Sequence, residues 1–499
     1  MVKPINILVI LILIVMSLAI FANSMTKPLG HDEQMYCAGA AMLSQGKMIY
    51  RDFSYIAQLP WHPLICAGLY KIFNTTNYLL TTRLFSVLCN ITTLICIVAI
   101  YRRLFTDTPK AGALLAIAAG TLYIFNPIVA YANGHAWNHD FIVAAVAVSF
   151  WLFVTTDFKH RSRYYRIAAI AALLTIATWM RITTALIQLL FFVFILINSP
   201  GQRLKNALTF IVTTAVLSIW PVWTFSLAPQ AFAINLFHIP TLNAQYLHEI
   251  GMAYNKLDLT ISILKQPANL VLIGLTGYFY IAATWQKAKQ KHTNSIFAVL
   301  LTIAFCVIAF LPPTMWIQYL APPVPLLLIC LAYPLSRLNK LNTKNHYPAA
   351  LIIFAILTVY ISPYLKNIPA VFKPQRWVPI QLHKTAIDIA ANTKEPKRIL
   401  TLAPLFALEG NCTIYPQLSA GPFVYRVADN LSKEQQKITT TTGTKSIRKL
   451  LQDQPPSAVI VGTEPLALEA PLLETTVISN PENWRKKQYP NGLIVYFRR

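Results

Sequence analysis

The sequence predicts an α-helical polytopic membrane protein of about 11 transmembrane helices with a small α/β domain at its C-terminal end. Three observations carry that expectation. Only 12% of the 499 residues are charged, about half the share usual in soluble domains, while 56% are apolar and the mean hydropathy is +0.50. Apolar runs of roughly 20 residues, the length a helix needs to cross the hydrocarbon core, recur up to residue 365. Beyond that point they stop, and short apolar runs of strand character alternate with helical ones. The wealth of aromatic and branched residues excludes a disordered chain, and 7 Cys scattered over this length exclude a disulfide scaffold.

Divided at charge clusters and Pro or Gly breaks, the runs give spans at about 5–25, 78–101, 112–132, 139–156, 164–180, 182–198, 206–227, 262–285, 296–312, 322–338 and 348–365. The first is read as a retained helix rather than a cleaved leader, because Ile5 to Ala22 exceeds a signal core. Net charge is +24, which would suggest nucleic acid if it covered one face. Instead it alternates between connections: 16 of the 24 basic residues in positions 1–365 fall where loops face the cytoplasm if the N-terminus is inside. By the positive-inside rule, an odd number of spans then leaves residues 366–499 outside. Nucleic acid is therefore not an expected partner.

Acids are scarce and one-sided. Of the eight before residue 366, Asp32, Glu33, Asp52, Asp140, Glu249 and Asp258 fall outside, and only Asp107 and Asp157 inside. Lipid cannot solvate a carboxylate, so acids at the outer mouths of spans are the first functional candidates. The outer segment 26–77 opens with GHDEQ, where Asp32 and Glu33 favour the positive end of a helix, and Met35, Ala38, Met42 and Leu43 share one face. That pattern predicts an amphipathic helix on the membrane surface, ended by Gly46. Pro60 and Pro63 start a second short apolar helix through Phe73, and 228–261 reads as an interfacial helix plus loop. In the tail, 398–402, 457–462 and 493–497 read as strands and 379–392 and 446–452 as helices, an accessory domain without a phosphate loop or metal spacing. The expected division is a catalytic membrane domain over 1–365 and an outer soluble domain over 366–499.

The span followed at once by Asp32-Glu33, the Tyr50-Arg51-Asp52-Phe53 stretch and a Pro-containing second helix resembles the membrane-embedded glycosyltransferases of the GT-C fold. The nearest resemblance is to the bacterial branch similar to protein O-mannosyltransferases and the aminoarabinose transferase of lipid A. Later positions fit that pattern: Asp140 in NGHAWNHDF, Arg181 in TWMRITT and Tyr319 in WIQYLAPPVP, although Met180-Arg181 stands where Thr-Lys is usual and Gln318 where a basic residue is usual. The resemblance implies sugar transfer from a polyprenyl-phosphate donor to a hydroxyl of a glycan, lipid or protein acceptor, on the outer face of a bacterial cytoplasmic membrane.

Such a reaction needs a base for the hydroxyl and positive groups for the departing phosphate. Asp32 is the expected base, with Glu33 orienting the loop or a cation. Arg181 is the first choice for the donor phosphate, because its guanidinium is permanently charged and bidentate, with Arg51, Arg83 and Tyr319 behind it. Asp140, His139, His62 and His238 are candidates for contacting substrate. No cofactor is required; a divalent cation, if one takes part, would be held by Asp32, Glu33 and Asp140. His135 and His139 have a chelating i, i+4 spacing if one helix carries both, and a plain polar loop is the competing reading. Nothing in the spacing favours or forbids a disulfide between Cys37 and Cys412. Two other classes compete: a transporter or flippase of a lipid-linked saccharide, against which stand the lack of an internal repeat and of deep charges other than Arg181, and an oligosaccharide polymerase or ligase, against which stands a 228–261 segment with Lys256 as its only basic residue.

Overall fold

The computed structural model describes residues 4–285, 293–340, 367–490 and 492–499. In chain order its main helices are α1 (Pro4–Thr26), α2 (His31–Ser44), α3 (Trp61–Ile72), α4 (Tyr78–Leu104), α5 (Pro109–Phe125), α6 (Pro127–Ala132), α7 (His139–Thr155), α8 (Arg163–Thr178), α9 (Ala185–Ile197), α10 (Arg203–Leu227), α11 (Pro229–Ala233), α12 (Ile239–Glu249), α13 (Lys256–Leu264), α14 (Pro267–Trp285), α15 (Thr293–Phe310), α16 (Pro323–Lys340) and α17 (Val378–Asn392). Among the described residues, six helical stretches are long and apolar enough to cross a membrane: Ile5–Thr26, Tyr78–Leu104, Arg203–Leu227, Pro267–Thr284, Thr293–Phe310 and Ile317–Leu338. Three further apolar helices, Pro109–Phe125, His139–Thr155 and Ile182–Ile197, are shorter. The expected span at 348–365 lies outside the described residues.

Two expected spans are broken, each for a local reason. At 112–132 the helix stops at Asn126, whose side chain accepts from the amides of Ile128 and Val129 and so starts α6 with Pro127 at its first position. At 262–285 the break falls before Pro267, which cannot donate to the preceding turn and instead opens α14. Outward-facing Leu208, Ile211, Val212, Val216 and Ile219 on α10 are exposed, a surface suited to lipid rather than water.

The chain packs as two units. One comprises Met1–Thr26, Leu84–Ser218 and Tyr254–Phe372; the other comprises Lys27–Arg83, Ile219–Ala253 and Lys373–Arg499. Residues 27–83 and 219–253 thus group with the tail. In the first unit α7 packs on α8, α8 on α9, and α16 on both α14 and α15. Phe150, Phe153, Phe191, Phe194 and Phe297 form an aromatic cluster there, with Phe194 and Phe297 stacked at 4.2 Å between centroids.

In the second unit α2 packs on α3, and Glu33 through Met42 are all buried. This corrects the expectation of a surface helix: Ala38, Gly39, Ala40 and Ala41 give α2 small residues on several sides, so neighbours close around it. At Gly39 an added Cβ would lie 2.8 Å from the Tyr55 ring. The tail holds a five-stranded sheet of order β2-β1-β3-β5-β4, with β1 (Arg398–Leu400), β2 (Thr413–Ile414), β3 (Ala458–Val461), β4 (Trp484–Gln488) and β5 (Ile494–Arg498). Strand β1 runs parallel to β2 and β3, while β5 is antiparallel to β3 and β4, with Val459 opposite Tyr496. Leu400, Val459, Val461 and Leu472 fill the core beside it. Cys37 and Cys412 are both free thiols.

Candidate functional site

The turn between α1 and α2 is built around a charge pair. Gly30 caps α2, and its amide donates to Glu33 Oε2 at 2.7 Å while the Glu33 amide donates to the Gly30 carbonyl at 3.2 Å, a reciprocal closure of the helix start. From the first turns of α4, Arg83 reaches the same carboxylate: Nε donates to Oε1 at 2.8 Å and Nη2 to Oε2 at 2.7 Å. Nη1 also donates to the carbonyl of Lys27 at 3.0 Å and Nη2 to that of Pro28 at 3.1 Å. Both side chains are fully buried. Planar guanidinium and carboxylate match in a bidentate pair, so two charges that would be costly alone are neutralised together, and residues 27–33 are fixed in position. Glu33 is thereby tied to Arg83 and to the Gly30 amide, and Arg83 to Glu33 and to the carbonyls of Lys27 and Pro28.

One residue earlier in the helix, Asp32 is only partly buried and sits in the first turn of α2, where unsatisfied amides favour a carboxylate. Charged groups from the tail gather around this end. His31 Nδ1 lies 2.9 Å from Glu464 Oε1, and that hydrogen bond raises the His31 pKa against the opposing effect of burial, with the Asp32 charge adding to the rise. Arg426 donates from Nε to Asn243 Oδ1 at 2.7 Å and lies over the rings of Tyr246 and Phe423 at 5.2 Å and 5.3 Å. Burial lowers the Arg426 pKa, while Tyr246, Glu464 and Asp32 pull it back up. Asp32, His31, Glu464 and Arg426 therefore form one electrostatic cluster. Glu464 is held in turn by its own loop: buried Glu469 accepts from the amides of Gly462 at 2.7 Å, Thr463 at 3.0 Å and Glu464 at 3.0 Å. Beside the cluster lies a cavity of about 760 Å³ whose walls include Gly30, His31, Gln34, Thr385 and Glu464.

Asp140 belongs to the other unit, at the start of α7. Its Oδ2 accepts from the amide of Gly134 at 2.8 Å, and Ser24 Oγ donates to the Gly134 carbonyl at 2.5 Å. Gly134 has φ +85°, and a Cβ there would approach Ser24 Cβ to 2.9 Å, so the loop before α7 needs glycine for both conformation and space. Asn138 donates to the Met180 carbonyl at 3.0 Å and accepts from Arg181 at 3.4 Å. Arg181 in turn lies 5.3 Å from the centroid of the Tyr319 ring, and both side chains line one small cavity. The structure so brings together two of the residues expected to meet the donor phosphate.

Other expected residues are placed elsewhere. Arg51 is half exposed and clasps its neighbour Asp52 at 2.8 Å and 2.9 Å, an interaction that lowers the Asp52 pKa. His62 is fully buried in the packing of α2 against α3, edge-on to Tyr36 at 5.0 Å. His238 closes a π-helical turn, Ile234–His238, and is partly exposed. His139 is buried at the start of α7, while His135 stands in the preceding loop stacked on Trp137 at 4.4 Å, so the two do not share the helix that an i, i+4 chelate requires. Among the described residues no group of three or more His, Cys, Asp or Glu could hold a metal ion. Sequence reasoning did not single out Arg426 or Glu464, which lie about 400 residues from α2 and sit in no local motif; only folding brings them there.

Residues 57–225 match the sequence model of the dolichyl-phosphate-mannose-protein mannosyltransferase family. No curated protein sequence matches the chain. Among solved structures, ArnT from Cupriavidus metallidurans bound to undecaprenyl phosphate is similar at a TM-score of 0.61 and 14% identity, over 99% of this chain and 98% of that one. The Archaeoglobus fulgidus oligosaccharyltransferase, in complex with zinc and sulfate, is similar at a TM-score of 0.53 and 12% identity, over 98% of this chain and 73% of that one. The same archaeal enzyme with an inhibitory peptide and a dolichol-phosphate gives 0.51 at 12% identity, over 98% and 74%. The chain thus has the GT-C fold of these membrane glycosyltransferases, and it carries within it a stretch that matches the mannosyltransferase family.

Proposed function

We propose that this protein is an integral-membrane glycosyltransferase that moves a sugar from a polyprenyl-phosphate donor to an acceptor hydroxyl on the outer face of a bacterial cytoplasmic membrane. The observation that carries this reading is the end-to-end likeness to ArnT, a protein seen with undecaprenyl phosphate, combined with a partly exposed acid, Asp32, at the same outer mouth of the first span where the resemblance implies the base. With the N-terminus inside, α1 delivers Asp32 to the outer side.

In this reading Asp32 takes the proton of the acceptor hydroxyl as its oxygen attacks the anomeric carbon, and the polyprenyl phosphate leaves with the bonding electron pair. Glu33 and Arg83 hold the turn that presents Asp32 and do not touch substrate. Arg181 offers the departing phosphate a charge that does not titrate near neutrality, and Tyr319 under its guanidinium holds that charge in place and can donate a hydrogen bond. Asp140, tied to Gly134, orients the loop before α7 and is the candidate for a sugar contact. Arg51, His62 and His238 are left out of the chemistry, the first because its charge is used locally and the second because it is buried.

The test is transfer from purified polyprenyl-phosphate sugars by wild type and Asp32→Asn. New glycosidic bond formation by wild type and its near-abolition in the variant are expected. Wild-type rates in Asp32→Asn would remove the base assignment. Movement of the lipid-linked sugar across vesicles without a new bond would replace the reading with a flippase.

A further inference from the structure

The cavity beside α2 has features the transfer chemistry does not use. It opens between the start of α2 and the tail, lies within one packed unit, and at about 760 Å³ falls in the range of ligand sites rather than of packing voids. Its polar groups converge from different elements: His31 from α2, Thr385 from α17, Thr463 and Glu464 from the loop after β3. That loop is prepared before any ligand arrives, because Glu469 binds three of its amides and Gly462, at φ +93°, packs so close to the Gly492 carbonyl that a Cβ would lie 2.8 Å from it. Glu464 in turn occupies His31 Nδ1, which leaves Nε2 as the ring nitrogen for a ligand, on the residue directly before Asp32.

We propose that this cavity is the acceptor subsite and that it takes the end of an uncharged glycan, with the His31–Glu464 pair as its polar anchor. The assignment rests on the glycosyltransferase reading for the word acceptor, and on the cavity alone for the binding. Its chemistry favours vicinal hydroxyls. Carboxylate, imidazole, amide and hydroxyl groups on the wall supply both donors and acceptors, and the apolar walls, Leu382 and Phe406 among them, suit the C–H faces of a sugar ring. A multiply phosphorylated headgroup would meet Glu464 with Lys384 as the one permanent cation among the lining residues. A peptide adding to the sheet would need an edge strand, yet β2 and β4, the two edges, contribute no residue to the cavity.

The experiment is saturation-transfer NMR on the full chain in detergent, with maltotriose and chitotriose as probes, comparing wild type, Thr385→Trp, Glu464→Gln and Arg51→Ala. Expected is binding of at least one trisaccharide by wild type and by Arg51→Ala, weakened about tenfold or more in the other two. Glu464→Gln keeps the volume, so it decides the matter if the Trp variant does not fold. Absence of binding by wild type, equal binding by Glu464→Gln, or displacement of the sugar by a Ser/Thr-containing peptide but not by the second trisaccharide would overturn the proposal. If the trisaccharide binds as expected while wild type forms no glycosidic bond from any polyprenyl-phosphate donor, the glycosyltransferase reading fails and the glycan pocket stands.

Discussion

Two arginine–carboxylate pairs in the stretch 27–83 have the same chemistry and opposite settings. Arg83 and Glu33 meet at 2.7 Å with both side chains at 0% exposure, fifty residues apart in sequence; Arg51 and its neighbour Asp52 meet at 2.8 Å with 51% and 27% exposure. In the buried pair each partner exists because of the other, since either charge alone would be stranded away from water. In the exposed pair water and salt already do most of that work. What separates a structural charge from a spare one is therefore desolvation and the number of backbone groups it ties, not proximity to an acidic motif. Asp32 is a third case: adjacent to Glu33, yet partly exposed, with its charge felt by His31 beside it and by Arg426 of the tail.

The sharpest way to separate the adjacent acids is kinetic. Asp32→Asn is expected to lower the transfer rate by about 10²–10⁴, the usual worth of a general base, while leaving thermal unfolding in detergent unchanged. Glu33→Gln should do the reverse first, destabilising the fold by roughly 3–5 kcal/mol through the stranded Arg83, and a combined Glu33→Gln/Arg83→Met change should recover much of that loss. An unfolding midpoint in Glu33→Gln equal to wild type would break the comparison. Next in size, Arg181→Ala should raise the KM for the donor about ten- to a hundredfold, the range of a charge-assisted hydrogen bond, with Arg181→Lys intermediate because a point charge lacks the planar fork. Unaltered donor KM in both would take Arg181 away from the phosphate. Arg51→Ala, at the far end of the comparison, should change neither transfer nor unfolding beyond experimental scatter.

The smallest effect concerns pH. Lys487 and Tyr489 hydrogen-bond Asp388 and hold its pKa below the usual carboxylate range. A depressed folded-state pKa contributes stability above the unfolded value and loses it as pH falls through the folded one. Both partners are about two-fifths exposed, so the contribution is screened to under about 1 kcal/mol. Acid titration of tail unfolding should show this small loss in wild type and a flatter curve in Lys487→Ala.

Much of the framework was legible from hydropathy and from turn residues. The end of α4 at Arg102 and Arg103 and the start of α10 at Arg203 and Lys205 fall where apolar runs meet charge clusters, and three tail strands follow from short branched runs. Strand β4, WRKKQ, escaped because it is an edge strand with polar side chains, recognisable only by its pairing with β5. Asn126 escaped because a lone Asn within an apolar run looks like a tolerated polar residue until its side chain is seen capping α6. Burial of α2 was not legible either: its small residues are as compatible with a surface as with a tight interior. For the proposed site, scarcity alone singles out Asp32 and Asp140 in the sequence, whereas the pairings of Arg83 with Glu33 and of His31 with Glu464, and the charge of Arg426 near them, join residues distant in sequence, and no spacing announces those partners.

The contact of Gly134 with Ser24 constrains how this protein can change over generations. A larger residue at 134 would fail twice, once against the Ser24 side chain and once against its own backbone angle, and shrinking Ser24 would relieve only the first. No single step leads away from glycine there, and no pair of steps does so cheaply. Saturation mutagenesis under selection should therefore find position 134 as closed to substitution as Asp140 itself, although Gly134 carries no reactive group and would leave no mark in a search for catalytic side chains.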